Sequence, residues 1–319
     1  MSKLVSILIP VFNNETTISE SITSCLNQTY SNFELLILEN NSIDSSLFKI
    51  QSFTDPRIRV IEPEETGSIA EARNRLLREA KGEYIAWLDG DDCMMKERIE
   101  KQVKYLDKNE KVDLLGTWIS TDSDSIPFKN FPVFFKDIEE SLWFKNCLAQ
   151  PSIMSRNFYQ SEQIFYNESY ANSVEDYELW YRLSSIKRFA NLPEYLCKYH
   201  IIEGKELEDK KSKNDFKAHI DMLWIEKWKA IPNSLSESDK LFFQNFLYSI
   251  QALNVDDMMT LNRVFKILNK ADKGVAFKAN LAYQKLRAWK HCNKSLKIKY
   301  WQYLTAFNYY PKIKELFLI

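Results

Sequence analysis

Residues 84–94 read YIAWLDGDDCM, an apolar run of strand length that ends in three carboxylates, Asp89, Asp91 and Asp92. Neighbouring carboxylates repel and raise each other's proton affinity, so the arrangement is unfavourable unless a cation sits among them. A lone D-x-D is ordinarily a pair of turn acids. Asp122-Ser123-Asp124, in a polar stretch of turn composition, reads that way. For residues 89–92 the context decides.

Working outward, the first 90 residues alternate between two periods. Short β-rich runs at 4–9 (LVSILI), 33–38 (FELLIL), 57–61 (RIRVI) and 83–88 (EYIAWL) are separated by helical stretches at 15–28, 44–52 and 68–80. Ser68 followed by Glu71 is a capping box that opens the third helix. Strand alternating with helix predicts a parallel sheet covered on both faces, and such sheets bind ligands beyond the carboxyl ends of their strands. The Asp89 cluster sits at one of those ends. A helix at 96–107 and a strand at 112–119 follow, then an irregular, aromatic-rich stretch from 120 to 170. Residues 174–186 read as helix and 195–201 as strand. The charge run 203–213 (EGKELEDKKSK) reads as a linker, and amphipathic helices are expected at 214–230, 236–252, 256–270, 275–291 and 295–309.

Composition narrows the chemistry. A chain of 319 residues with 45% apolar and 27% charged content is an ordinary globular protein with room for one large domain and a helical appendage. The opening KLVSILIPVF is too short, and is interrupted by a proline, for a signal peptide. No apolar run approaches the roughly 18 residues that span a bilayer. Cysteines 25, 93, 147, 197 and 292 form no C-x-x-C pair, so a reducing cytoplasm is expected, with neither a disulfide framework nor a zinc cluster. The six glycines lie far apart, so no glycine-rich loop cradles a phosphate and no strand ends in a dinucleotide fingerprint. A cation held by carboxylates is the substitute. From Met259 onward there are 13 Lys/Arg and two acids, a net +11 that leaves −12 on the rest.

Four motifs, in order, resemble the GT-A family of inverting glycosyltransferases known as family 2. VSILIPVFNNETTISESITSCLNQTYSNFELLILENNSIDSS (5–46) is similar to that family's opening, GSIAEARN (67–74) to its G-x-x-x-A-R-N segment, YIAWLDGDD to its D-x-D strand end, and EDYELWYRL (175–183) to its E-D-x-x-L-W helix. The resemblance covers roughly residues 3–202. It implies an α/β fold of GT-A type: a Rossmann-like, mostly parallel central sheet flanked by helices. Residues 1–205 form the catalytic domain, with a nucleotide-sugar half at about 1–119 and an acceptor half at about 120–205, and 206–319 form a C-terminal α-helical extension.

The resemblance also implies roles. Asp91 holds Mn²⁺ or Mg²⁺, cations suited to carboxylate and phosphate oxygens, and Asp89 faces the ribose or that metal; Asp92 instead supports the following helix. Pro10, Val11 and Phe12 border the base, and Gly90 lies in the donor turn. Glu39, with Asn41 just after it, meets the base or ribose, although the family usually has Asp there; the alternative is a strand-end acid followed by turn residues. Arg73 is either a nucleotide contact or a solvated helix arginine. Asp176 is the general base, against the alternative that Ser173 and the acids after it simply cap a helix. Glu175, Gln150 and Trp180 fall on the acceptor side, with Ser152 beside Gln150, and Trp180 suits packing more than a sugar platform. In LCKYHI the family's Tyr-Arg-x-His becomes Tyr199, His200, Ile201 and Ile202; His200 is a candidate for metal or phosphate, or a structural strand-end histidine.

The expected function is therefore transfer from a nucleotide-sugar donor, a UDP-sugar first, to a glycan or lipid-linked glycan acceptor in bacterial surface-polysaccharide synthesis. The rival is a catalytically silent nucleotide-sugar-binding subunit. No nucleic-acid partner is expected, since the positive charge lies outside the catalytic half. Leu296, Tyr300, Tyr303, Leu304 and Phe307 form one helical stripe beside Lys294, Lys297 and Lys299, which suits either peripheral contact with an anionic inner leaflet or packing on the catalytic domain.

Overall fold

A computed structural model describes residues 2–62, 65–122, 128–171, 173–200, 210–229, 231, 235–248, 253–270 and 275–290. The chain divides into two compact units, Met1–Phe135 with Asn146–Ser212, and Lys136–Lys145 with Lys213–Ile319. The first unit opens with β1 (Val5–Val11), α1 (Ile18–Leu26), β2 (Phe33–Glu39), α2 (Ser46–Gln51), β3 (Ile58–Ile61), α3 (Ile69–Glu79) and β4 (Tyr84–Trp87). Next come β5 (Cys93–Met94), α4 (Arg98–Lys108), β6 (Leu114–Thr121) and β7 (Phe128–Lys129). After α5 (Phe135–Ser141), which leads into the second unit, the first resumes with β8 (Met154–Arg156), α6 (Glu175–Leu183) and β9 (Phe189–Tyr199).

The strands form one sheet in the order β3-β2-β1-β4-β8-β6-β9-β5, with β7 on β6. From β3 to β4 every pairing is parallel. β1 is buried along its whole length, as a strand covered on both faces must be. β8 runs antiparallel to both β4 and β6, and joins the two halves of the sheet. With only three residues it is too short for a period to announce it. β9 begins six residues before the expected 195. Leu192 pairs with Thr117 and Tyr195 with Trp118, so Pro193 and Glu194 fall in a bulge. A proline has no N–H for the ladder, and the bulge is where a strand tolerates one.

Two polar side chains of α4 secure this junction from inside. The fully buried Arg98 donates to the carbonyls of Trp87 at 2.8 Å, Pro151 at 2.6 Å and Ile153 at 3.3 Å, and through Nε to Gln102 at 3.0 Å. Gln102 passes its own amide N–H groups to Leu115 and Ser152, both at 2.9 Å. The end of β4, the turn before β8 and β6 therefore share one hydrogen-bonded hub.

The second unit contains α7 (Lys210–Lys229), α8 (Glu237–Tyr248), α9 (Val255–Leu268) and α10 (Val275–Lys290), packed on residues 136–145. Its core is aromatic. Trp143 lies edge-on to Trp224, Trp228 and Phe277, and Glu140 accepts the Phe277 N–H at 2.9 Å. The end of the 203–213 charge run is already helical, since α7 starts at Lys210. The basic stripe from Lys294 to Phe307, and Ile201 and Ile202, lie outside the described residues. No described helix is long and apolar enough to cross a membrane.

Replacing Arg98 by methionine strands the carbonyls of Trp87 and Pro151, each worth about 1.5–3 kcal/mol when bonded to a charged donor. Relief from burying a charge offsets part of this, so Arg98→Met should lower the urea-unfolding free energy by about 2–4 kcal/mol. An unchanged urea midpoint would show that the hub is dispensable.

Candidate active site

The register Val11↔Glu39 and Leu8↔Trp87 sets the carboxyl ends of β1, β2 and β4 side by side. At the first of these, Pro10 and Val11 are buried, while Phe12 is 48% exposed. Only Phe12 offers its side chain outward. At the second, Glu39 is 2% exposed and accepts the N–H groups of Asn41 at 3.1 Å and Ser42 at 2.8 Å. Its carboxylate thus caps its own turn, the alternative reading of a strand-end acid followed by turn residues, and Asn41 takes φ 59° in that turn. The amide of Asn40 reaches over to Gly67, donating to its carbonyl at 2.7 Å and accepting its N–H at 3.0 Å. That pair fixes the approach to α3, whose capping box is present as expected.

The third strand end carries the D-x-D turn. The Asp92 N–H donates to the Asp89 carbonyl at 3.1 Å, and the Gly90 carbonyl accepts from the Thr17 and Ser21 hydroxyls of α1, both at 3.0 Å. A Cβ on Gly90 would stand 2.8 Å from the Asn14 amide oxygen, so the close approach to the β1 loop needs glycine. Asp89 and Asp91 are half-buried and Asp92 is buried. Burial, and then the charges of Asp89 and Asp91, push Asp92 up to about 9. Asp92 accepts the His200 N–H at 3.0 Å, so it braces the end of β9 and not the helix it was expected to support. The His200 ring uses Nδ1 to donate to the Asp91 carbonyl. Asp89, Asp91 and His200 do not converge as three ligands: among the described residues the set with ligand atoms within 4.8 Å of one another is Glu20, Cys93 and His200.

Across from this turn, the Arg73 guanidinium of α3 is 5% exposed and bonded to the Glu175 carboxylate at the start of α6 and to Asp89 at 3.1 Å. It lies 5.7 Å from the Tyr166 ring centroid, and the Tyr166 hydroxyl exchanges hydrogen bonds with Gln150 at 2.9 and 3.2 Å. Burial pulls Arg73 down, but Asp89 and Glu175 hold it above its ordinary value. Arg73 is therefore not a solvated helix arginine; it is a buried clamp between two carboxylates. Glu175 and Gln150, expected to face an acceptor, are committed to Arg73 and Tyr166. Trp180 is fully buried and packs edge-on toward Tyr166, so it is a core residue and no sugar platform; Ser152 is equally buried and bonds to Ala149 and Thr117.

Asp176 is half-buried and accepts from the Asn146 amide at 2.9 Å and the Tyr177 N–H at 2.6 Å. Burial raises its proton affinity, while Arg73 opposes the rise. The helix it belongs to is not capped by Ser173. Val174 precedes it at φ 56°, ψ 11°, a left-handed conformation rare for a β-branched residue. Such strain persists where the surrounding contacts over-determine it. Here Glu175 is tied to Arg73 and Asp176 to Asn146. Asn146, Tyr166 and Val174 were not singled out from the sequence. An asparagine and a tyrosine in an irregular aromatic stretch carry no spacing signal, and a left-handed valine carries none at all.

Residues 6–165 match the family description Glycosyl transferase family 2. The chain belongs to that family. It is 39% identical over 144 residues to the Escherichia coli UDP-Glc:alpha-D-GlcNAc-diphosphoundecaprenol beta-1,3-glucosyltransferase WfgD, covering 45% of this chain and 56% of that protein. An uncharacterised glycosyltransferase of Haemophilus influenzae is 32% identical over 213 residues, 62% of this chain and 65% of its own length. The family 2 chain thus spans less than two thirds of either relative. Among solved structures, Staphylococcus aureus TarS 1–349 in complex with UDP-GlcNAc superposes with a TM-score of 0.60 at 18% identity, covering 97% of this chain and 91% of that one. At that identity the likeness concerns the GT-A fold.

Glu175 leads to a stability prediction. Burial lifts it from an ordinary 4.5 to about 7, against the pull of Arg73, and the Asp176 charge adds to the rise. An acid raised by folding binds its proton more tightly in the native state. Its stabilisation is complete below its unfolded value and disappears as pH rises through about 7. Urea midpoints of wild type should therefore fall relative to Glu175→Gln between pH 5 and 8, where the expectation comes from that shift. Parallel profiles for the two proteins would refute it.

Proposed function

We propose that this protein is a metal-dependent inverting glycosyltransferase that moves a sugar from a nucleotide-sugar donor, a UDP-sugar first, to a hydroxyl of a lipid-linked glycan. One observation carries the reading: buried Arg73 ties Asp89, at the donor end of β4, to Glu175, whose neighbour Asp176 carries a raised proton affinity. Donor-side and acceptor-side carboxylates thus belong to one cluster. The acceptor class rests on the likeness to WfgD, whose name specifies a diphosphoundecaprenol-linked sugar.

In this reading Asp91 and Asp89 hold Mn²⁺ or Mg²⁺. Their donor oxygens suit a hard cation, and carboxylates set this close together are relieved by one. The cation, when bound, neutralises charge on the departing diphosphate. The Asp176 carboxylate takes the proton of the acceptor hydroxyl while that oxygen attacks the anomeric carbon and the bond to the nucleoside diphosphate breaks. One displacement from the opposite face inverts the centre. The raised proton affinity of Asp176 makes it a better base than a solvated aspartate, and Asn146 aims it. Arg73 is a positioning residue, holding Glu175 so that Asp176 faces the acceptor. Phe12 is left as the exposed side chain beside the base. The +11 segment from Met259 supports an anionic surface as the place where a lipid-linked acceptor is met.

Asp91→Ala should abolish Mn²⁺-dependent UDP binding measured by calorimetry, with the thermal midpoint retained. UDP affinity indifferent to EDTA in both proteins would remove the metal from the mechanism.

Asp176→Asn keeps the Tyr177 amide contact but cannot take a proton. It should preserve UDP affinity and lower transfer to a lipid-diphosphate-linked sugar by about 10²–10⁴. Near-normal turnover would return Asp176 to a structural role and leave the base unassigned.

A further inference from the structure

The Glu20, Cys93 and His200 set lies beside the D-x-D turn and takes no part in the proposed transfer. Three elements bring it together. β5 pairs antiparallel with β9 through Cys93↔Lys198, which sets Cys93 near the end of β9 where His200 follows. Ser24 of α1 accepts the Met94 N–H at 3.0 Å, which fixes α1, and with it Glu20, against β5. Glu20 is exposed, Cys93 is 7% exposed and His200 half-buried.

The chemistry of the three groups is complementary. A carbonyl oxygen only accepts, so the Nδ1 of His200 that meets the Asp91 carbonyl must carry its hydrogen. Nε2 is then the nitrogen with a free lone pair. A ring N–H donated to a backbone carbonyl is also how metal-binding histidines are oriented. The Cys93 thiol, the Glu20 carboxylate and the His200 ring place their ligand atoms within 4.8 Å of one another. One buried thiol, one oriented imidazole and one carboxylate are the ligand types of a borderline cation such as Zn²⁺, whereas Mg²⁺ and Mn²⁺ prefer oxygen alone.

We propose that Glu20, Cys93 and His200 form a Zn²⁺ site separate from the donor cation. Binding replaces the Cys93 proton: the thiol loses H⁺ to solvent, the sulfur bonds the metal, and a water completes a tetrahedron. Ligand atoms around tetrahedral Zn²⁺ stand about 3.4–3.7 Å apart. The three atoms here lie within 4.8 Å of one another. The ion joins α1, β5 and the end of β9, and through His200 it holds the backbone of Asp91. The inference stands on these residues alone and does not require glycosyl transfer.

The test uses the full chain. Zn²⁺ is titrated in competition with a chromophoric chelator, and Co²⁺ is added separately to look for thiolate-to-metal charge-transfer absorption. Wild type should bind one Zn²⁺ and show the band. Cys93→Ser should lose the band and weaken Zn²⁺ at least about 10-fold. Glu20→Gln, on an exposed side chain, should weaken it comparably and keeps the test valid should Cys93→Ser not fold. Asp91→Asn, which keeps the backbone carbonyl, should retain both band and affinity. Absence of the band in wild type overturns the proposal. So does Zn²⁺ binding that survives Cys93→Ser but is lost in Asp91→Asn, since the ion would then sit on the D-x-D carboxylates.

Discussion

The carboxyl end of β4 is gripped by two buried guanidinium groups. Arg98 holds the Trp87 carbonyl from the α4 side, and Arg73 holds the Asp89 carboxylate from α3. Between them stands Leu88. Fixing this one strand end fixes the rest, because β4 is the hinge of the sheet: parallel strands lie on one side of it, and antiparallel β8 begins the other.

The two arginines do different electrostatic work. Arg98 is satisfied by carbonyls and one glutamine, all neutral, so burial lowers its proton affinity and it acts as a rigid fork of donors. Arg73 is satisfied by carboxylates, and their charges outweigh the same burial. The first secures backbone and the second secures a charge balance. A buried ion pair is weak evidence of stability, because desolvation consumes much of its Coulomb gain. It does specify geometry, and the left-handed Val174 beside Glu175 is where that geometry is held against backbone preference.

The D-x-D turn shows the same economy. Gly90 is needed for close approach to Asn14, the Thr17 and Ser21 hydroxyls satisfy its carbonyl, and Asp92 and His200 brace it from behind. The acids of the turn therefore differ in kind. Asp89 and Asp91 stay at the half-buried lip, while Asp92 is buried, its proton affinity raised by that burial, and it holds the His200 N–H.

Local rules were enough to determine much of this protein from its sequence. The strand-helix alternation, the Ser68 capping box and the D-x-D at a strand end each depend on neighbours within a few residues, and each is where the periodicity put it. The family followed from the order of four such motifs. What only the tertiary structure decided are pairings across long separations. Arg73 meets Glu175 over 102 residues, His200 meets Asp91 over 109, and Asn146 meets Asp176 over 30. The three-residue β8 and the bulge at Pro193 belong with these, since each exists only because a partner strand is there. The alternatives the sequence left open at Glu39 and Trp180 have the same origin: residue type and position say what a side chain can do, while its burial and partners, settled by distant parts of the chain, say what it does.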